Sequence, residues 1–328
     1  MLRFVIRRLL IMIPTIWLIS VVSFIIIQLP PGDFLTAYAG SLAARGQQAD
    51  RALLDALSKR YGLNQPGYVQ YFKWLWSLLH FDLGQSMQYE QPVARLLGQR
   101  IPWSILISLL GMLLLWVISI PIGIFSATHQ YSIGDYVWTV LGFIGLGVPS
   151  FLLALIYLYV YFLATGSAAV GLFSYQYQSA PWSVAKVLDL LRHVGVPAAI
   201  VAFTGTAATI RVVRANLLDE LQKPYVLVAR AKGLSERRLL LKYPFRIALN
   251  PIMSTIGWSL PGLVSGELLV SLVLSVPTVA PLYIASLRNQ DMYLAGSVVM
   301  VLSSLTVIGT LISDLLLAWV DPRIRGAV

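Results

Sequence analysis

The residues with the most distinctive chemistry lie between positions 211 and 246, where nine basic and three acidic side chains alternate with apolar ones. Ala229 and Ala231 are small, and Gly233 predicts a turn that separates two short helices. Glu236 has the charge that favours the start of the second helix. We interpret this stretch as a compact helix–turn–helix that fits a groove on another protein. A solvated basic hairpin beside lipid headgroups would have the same composition, so this alternative stays open.

Patterns that would indicate catalysis are absent from the sequence. It contains no Gly-x-x-x-x-Gly-Lys-Ser/Thr phosphate-binding loop, no His-Glu-x-x-His and no Gly-x-Ser-x-Gly. Cysteine is also absent, which excludes disulfides and thiolate metal sites. The three histidines, His80, His129 and His193, are far apart and lack metal-ligand spacing. We therefore predict no catalytic residue, no metal and no cofactor.

Two acidic residues, Glu267 and Asp314, interrupt long apolar runs. A charge at the centre of a lipid bilayer costs about 2.5–3.5 kcal/mol on insertion scales, so both should face protein or water. Glu267 lies in a run that Pro251 and Pro261 break, and it either lines a translocation pathway or makes a structural hydrogen bond. For Asp314, near the end of its run, a structural or interfacial role is favoured.

The elements that must position these residues are membrane-spanning helices. Apolar residues make up 58% of the 328 positions, whereas charged residues make up 12%, about half of what a soluble domain carries. About 20 apolar residues suffice for a helix to cross the hydrocarbon layer, and backbone groups in lipid must pair within their own segment. Six runs satisfy this length and predict an all-α polytopic membrane protein, over residues 9–29, 101–128, 136–164, 194–213, 247–275 and 292–320.

The distribution of charge predicts the orientation of these spans. With both termini in the cytoplasm, the inner segments hold 14 basic and 5 acidic residues, and the outer ones 10 and 7. Arg3, Arg7 and Arg8 ahead of the first run resemble a secretory signal, but the run is too long for one, so we expect a retained span. The basic excess is concentrated in one loop, which favours lipid headgroups and a cytosolic protein as partners over nucleic acid.

The loop of residues 30–100 is predicted to be an extracytoplasmic helical layer. Helical spacing runs from Gln47 to a stop at Gly62, and again over Gly67–Leu79. The second helix places Val69, Phe72, Trp76 and Leu79 along one face. Its aromatic residues form either a cap packed on the outer face or a docking and substrate-guiding surface. These aromatic residues are Tyr68, Tyr71, Trp74 and Trp76.

The run from Tyr225 to Gly233-Leu234-Ser235-Glu236, followed by Asn250-Pro251, resembles the cytoplasmic signature loop of binding-protein-dependent ABC importer permeases, in the dipeptide and oligopeptide branch. Matching features extend along nearly the whole chain. They are Arg3 to Arg8, Pro31-Gly32-Asp33, Tyr61-Gly62-Leu63, Gln65-Pro66, Asp82-Leu83-Gly84 and Asp321-Pro322-Arg323-Ile324-Arg325. Together these motifs are specific, although each is weak alone.

The resemblance implies that this loop carries a coupling helix that sits in an ATPase subunit. The role passes to five positions of this sequence, Ala229, Ala231, Gly233, Leu234 and Glu236. The chain departs from the family pattern at three places. The acidic residue that often opens the signature is Val or Leu here, Phe34 replaces a proline, and the fifth span reads Gly266-Glu267, which bears on what passes through.

The resemblance further implies one transmembrane domain over residues 1–328 in the bacterial cytoplasmic (inner) membrane, with a coupling loop at 211–246. The implied partners are a homologous second permease, two ABC ATPase subunits that hydrolyse ATP, an extracytoplasmic solute-binding protein and membrane lipid. Dipeptides or oligopeptides are the expected cargo, with oligosaccharides or chelated nickel as alternatives.

Two other classes of membrane protein are alternatives to a permease subunit. A secondary transporter or channel would work alone and usually shows repeated halves, which are not evident in this sequence. A membrane scaffold would not need the helix–turn–helix.

Overall fold

The computed structural model describes residues 2–29, 31–48, 50–252 and 268–320, without the side chains of residues 2–5, 7 and 316–320. Within these residues the regular structure is helical, and an isolated bridge pairs Gln85 with Pro92. The predicted all-α class is confirmed. The α-helices are α1 Leu2–Gln28, α2 Phe34–Ala44, α3 Arg51–Tyr61, α4 Gly67–Leu79, α5 Val93–Thr128, α6 Ile133–Gly147, α7 Ser150–Thr165, α8 Val184–Leu221, α9 Pro224–Ala231, α10 Glu236–Lys242, α11 Pro244–Ala248, α12 Val279–Arg288 and α13 Met292–Val320.

Four of these helices are long and apolar enough to cross a membrane, and α6 with α7 makes a fifth candidate if the pair counts as one span. The four are Arg8–Gln28 of α1, all of α5 and α8, and Met292–Leu315 of α13. The predicted run 247–275 falls largely outside the described residues, although residues 250–252 and 268–273 are helical. Exposed apolar side chains cover α1, as expected of a lipid-facing helix.

The chain divides into two compact units. Unit 1 comprises Met1–Ser104 and Pro277–Val307, and unit 2 comprises Ile105–Val276 and Ile308–Val328. The prediction of a single domain over residues 1–328 stays a prediction.

The core of unit 1 forms where α4 packs on α1. Trp74 is 2% exposed and lies 5.9 Å from the ring of Phe24, while the Tyr71 hydroxyl is 3.0 Å from that of Ser20. The bounds of α4 agree with the predicted Gly67–Leu79, but the face that it buries is a different one. Phe72, Trp76 and Leu79 remain about two-thirds exposed, because α1 contacts the face that carries Tyr71 and Trp74.

A buried carboxylate ties the loop before α5 to the start of α13. Asp291 is fully buried, and it accepts hydrogen bonds from the Ser86 hydroxyl at 2.5 Å and from the backbone N–H groups of Gln88 and Leu294 at 3.1 and 3.2 Å. The Leu294 contact also caps α13. Burial raises the pKa of Asp291, although these hydrogen bonds act in the opposite direction.

Unit 2 contains a sharp bend between two apolar helices. The run 136–164, predicted as one span, consists of α6 and α7, which meet at 95°. Pro149 lies at the break, and Val148 before it has the extended conformation that proline favours in its predecessor (φ −96°, ψ 119°). Because proline also lacks an N–H group, the hydrogen-bond ladder of α6 cannot continue through it.

Glycines allow the other helices of unit 2 to approach α8 closely. A Cβ atom at Gly142 would lie 3.0 Å from the Cβ of Ala207, and one at Gly145 would lie 3.0 Å from the carbonyl oxygen of Phe203. On α5, a Cβ at Gly123 would lie 2.7 Å from that of Val213. Small residues at such crossings are typical of helix packing in membranes. Gly142 and Gly145 therefore allow α6 to pack closely on α8.

Candidate coupling site

The predicted helix–turn–helix is present and rests on a buried base. Leu217, near the end of α8, is fully buried in a cluster with Ala127 and Ala248. Val226 of α9 and Leu239 of α10 are also fully buried. Both short helices are thus anchored by one apolar side chain each, which fixes which surface of each helix is turned outward.

A tyrosine joins the first short helix to the end of α8. The Tyr225 hydroxyl donates to Oε2 of Glu220 at 2.6 Å, and its ring contacts that of Tyr243 edge-on at 6.4 Å. Burial raises the pKa of Tyr225, and the hydrogen bond to Glu220 raises it further. The phenol therefore stays protonated and keeps donating throughout the physiological range. Pro224 begins α9 at a position where its missing N–H costs nothing.

The turn between α9 and α10 requires a glycine. Gly233 has φ of +77°, in the left-handed region, and its N–H donates to the carbonyl of Arg230 at 3.0 Å. Leu234 then donates to the carbonyl of Ala229 at 3.3 Å. These bonds satisfy carbonyls that the end of α9 leaves open.

An ion pair closes the hairpin across this turn. Arg230 donates from Nε to Oε1 of Glu236 at 2.6 Å and from a terminal nitrogen to Oε2 at 3.0 Å, so the pair is bidentate. The hydrogen bond from Arg230 holds the pKa of Glu236 below its usual value, and Glu236 raises the pKa of Arg230. Ser235 occupies the cap of α10 in an extended conformation, but its side chain accepts no cap hydrogen bond. Because both partners are exposed, the ion pair adds modestly to the buried anchors Val226 and Leu239 and to the hydrogen bonds of the turn.

The outer surface of the hairpin carries apolar side chains among its charged ones. We call this apolar set the coupling face and define it by Leu227, Val228, Ala231 and Leu241. Three of its side chains are more than half exposed, Leu227 at 57%, Val228 at 54% and Leu241 at 56%. Exposed apolar side chains on short helices are typical of a docking site, because water contact there is unfavourable.

The structure brings all five predicted coupling residues into this hairpin. Ala231 and Gly233 are exposed, whereas Ala229 and Leu234 are half-buried at the turn. Glu236 serves in the ion pair. The predicted pathway residue, Glu267, lies outside the described residues, and Asp314 is half-buried in α13.

Sequence reasoning missed an ion pair that links α8 to α6 close to the hairpin. Arg214 donates to Oδ2 of Asp135 at 3.0 Å, and the carboxylate also accepts from the N–H of Tyr131 at 3.1 Å. Asp135 is 3% exposed. The available signal was a single acidic residue between the predicted spans 101–128 and 136–164, but nothing in the sequence identified its partner.

The fold and this site define a multi-pass α-helical membrane protein with an exposed helix–turn–helix after α8. Residues 119–326 match the family described as the inner membrane component of binding-protein-dependent transport systems, and residues 1–109 match the N-terminal family of such membrane components. The chain belongs to this family of transport-system membrane components, and it is a multi-pass inner-membrane protein. The resemblance inferred from its motifs is confirmed.

The chain is similar over nearly its whole length to named permeases. It is 35% identical to the oligopeptide transport system permease protein AppB of Bacillus subtilis, over 99% of this chain and 100% of that protein. It is 29% identical to the inner membrane ABC transporter permease protein YejB of Escherichia coli O157:H7, over 98% of each. Identity to the oligopeptide transport system permease protein OppB of Haemophilus influenzae is 28%, over 99% of this chain and 100% of that protein.

Proposed function

We propose that this chain is one permease subunit of an ATP-driven importer of dipeptides or oligopeptides. The names of its relatives support the peptide cargo. Residues 1–328 act as one transmembrane domain, with residues 30–100 outside and residues 211–246 inside the cell. Both termini are cytoplasmic in this arrangement, because it places the larger basic excess at the inner surface.

The coupling face carries this proposal. An ATPase subunit on the cytoplasmic side receives the hairpin in a groove, and covering Leu227, Val228 and Leu241 supplies the apolar contact. Closure of two ATPase subunits around nucleotide then moves the hairpin. The motion passes to the spans because Leu217, Val226 and Leu239 attach the hairpin to a packed base, so it cannot swing freely.

The Arg214–Asp135 pair extends this transmission. It joins α8, which leads into the hairpin, to the first turn of α6. A pushed hairpin therefore displaces two helices together. A homologous second permease completes the pathway, and an extracytoplasmic binding protein delivers the peptide. ATP hydrolysis takes place on the ATPase subunits.

Copurification with the ATPase subunits and uptake by the assembled transporter test the proposal. The complete transporter in vesicles should accumulate peptide only with hydrolysable ATP, and uptake should stop when the ATPase subunits carry a substitution that prevents hydrolysis. Solute flux through this chain alone would instead indicate a channel or secondary transporter, and would overturn the proposal.

A charge on the coupling face tests the docking surface directly. Ala231→Glu places a carboxylate on the exposed face of α9, so we expect loss of ATPase copurification with normal membrane insertion. Gln222→Glu is the matched control, because Gln222 is exposed at the end of α8 but outside the coupling face. Equal copurification of the two variants would remove the docking assignment.

A further inference from the structure

Unit 2 contains a cavity that the coupling mechanism does not use. Its volume is about 490 Å³, within the range of roughly 300–1,000 Å³ that is typical of small-molecule sites. Tyr157 and Tyr161 of α7 line it together with Arg192 and His193 of α8, and the loop between these helices contributes Gly171.

The acidic group in this cavity is already engaged. Asp189 accepts from the Ser174 hydroxyl at 2.6 Å and from the Ser174 N–H at 2.8 Å. Nδ1 of His193 lies 2.9 Å from the Asp189 carbonyl oxygen and donates to it, since a carbonyl oxygen can only accept. Asp189 therefore holds the loop against α8 rather than offering its carboxylate to a ligand.

Hydrogen-bond donors, by contrast, are available. Within the described residues, the Arg192 guanidinium makes no hydrogen bond or ion pair, and the Tyr157 and Tyr161 hydroxyls make no hydrogen bond. A guanidinium has five N–H donors in a planar fork that fits a carboxylate bidentately. The two tyrosine rings lie 5.8 Å apart and form an apolar wall beside it. The cavity thus pairs a guanidinium fork whose N–H groups make no hydrogen bond, and whose charge also acts on Asp189, with aromatic surface.

We propose that this cavity receives the carboxyl-terminal end of a peptide during transport, with the terminal carboxylate bound by Arg192 and the adjoining residues packed against Tyr157 and Tyr161. This proposal rests on the peptide cargo of the proposed function. Every linear peptide has a terminal carboxylate whatever its side chains, so such a contact tolerates many sequences. Aromatic surface adds contact area without requiring a particular side chain.

The lack of cysteine in this chain makes the proposal testable by thiol protection. Ala169 lines the cavity, whereas its exposed neighbour Ala168 does not, so Ala169→Cys and Ala168→Cys form a matched pair. The complete transporter in vesicles is treated with a membrane-impermeant maleimide during ATP turnover. Alanine peptides of two to five residues are supplied in excess of the amount that saturates the binding protein.

We expect free-acid peptides to slow labelling of Ala169→Cys but not of Ala168→Cys. The same peptides with an amidated carboxyl terminus should protect weakly. Adding Arg192→Gln should raise the peptide concentration needed for protection by about tenfold or more, as expected when one charge-assisted hydrogen bond is lost. Arg192→Lys should restore part of the protection that Arg192→Gln loses. Arg95→Gln, the same change at an exposed residue that does not line the cavity, should leave protection unaltered.

The outcomes separate this inference from the proposed function. If ATP-dependent uptake of every peptide is absent, the peptide importer itself is refuted, and this inference with it. If uptake proceeds but Ala169→Cys is not protected, or is protected equally by acid and amide peptides or in Arg192→Gln, the cavity is not a carboxylate site. A normal chromatographic profile of each variant excludes misfolding as the reason.

Discussion

The turn at Gly233 should control coupling through its backbone conformation alone. Its φ is +77°, and a Cβ atom added there would have no heavy atom within 4 Å. Sterics therefore add nothing, and the cost of a side chain is the left-handed conformation itself, about 1–2 kcal/mol for alanine. Alanine also restricts the unfolded chain more than glycine does, and this recovers about 0.4–1 kcal/mol of stability. The net cost is about 1 kcal/mol. It lowers the ratio of the closed hairpin, with the turn formed, to an open hairpin, with the turn lost, by roughly fivefold.

A series of substitutions at Gly233 should reduce peptide uptake per ATP hydrolysed in the order of their backbone cost. Asparagine tolerates the left-handed region and should stay close to glycine, alanine should be intermediate, and valine lower because its branched side chain resists positive φ. Gly233→Pro should be lowest, because its φ is held near about −65° and it removes the N–H that donates to Arg230. The measurement is peptide uptake per ATP hydrolysed in vesicles, with copurification of the ATPase subunits as a second readout.

Gly46 provides the matched control. Its φ is +73°, and a Cβ there would also meet nothing within 4 Å, but it lies after α2 in unit 1. Gly46→Ala therefore carries the same backbone cost away from the hairpin and should leave uptake per ATP unchanged. If Gly233→Val and Gly233→Pro couple as well as the parent chain, or if Gly46→Ala uncouples equally, the assignment of the coupling role to this turn is refuted.

Three further predictions concern the ion pairs and the helix packing. Arg214→Ala should destabilise the protein by about 2 kcal/mol, because it leaves the buried carboxylate of Asp135 without its cationic partner; this figure allows for the partial exposure of the arginine. Adding Asp135→Asn should recover part of the lost stability in thermal unfolding. Strictly additive effects of the two substitutions would contradict the ion pair. Gly145→Ala should cost about 1–3 kcal/mol because its Cβ would press on a backbone oxygen, whereas Gly147→Ala, with open space, should be neutral in the same assay. Because the pKa of Glu236 is lowered in the folded hairpin, the stability that its ion pair contributes is complete above about pH 4.3 and is lost as the pH falls through the lowered pKa. Limited proteolysis of the hairpin should therefore increase at that low pH. A Glu236→Gln variant that shows the same pH dependence would refute this prediction.

Much of the fold follows from local sequence. The run predicted from residue 292 to 320 is α13, and Gly67–Leu79 is α4. Hydropathy and helical spacing act within a few turns, so they locate a helix without knowledge of its neighbours. The same reasoning grouped Phe72, Trp76 and Leu79 on one apolar face of α4, but it could not decide whether that face is packed or exposed. In a membrane protein, apolar residues are also exposed, and the packing against Phe24 decided that Trp74 lies inside.

The sequence by itself determined the class of the protein and the helix–turn–helix with its glycine, because composition and short-range spacing encode them. The coupling role of the five residues at that turn came from the family resemblance and stays a prediction. Only the tertiary structure decided which side chains of the hairpin point outward, the 95° bend between α6 and α7, the pairing of Arg214 with Asp135, and the cavity beside Arg192. The hairpin surface, the ion pair and the cavity depend on contacts between residues distant in the chain, whereas Pro149 explains locally that α6 ends but not the angle at which α7 leaves it. Local propensity does not specify such partners, since many packings satisfy the same periodicity.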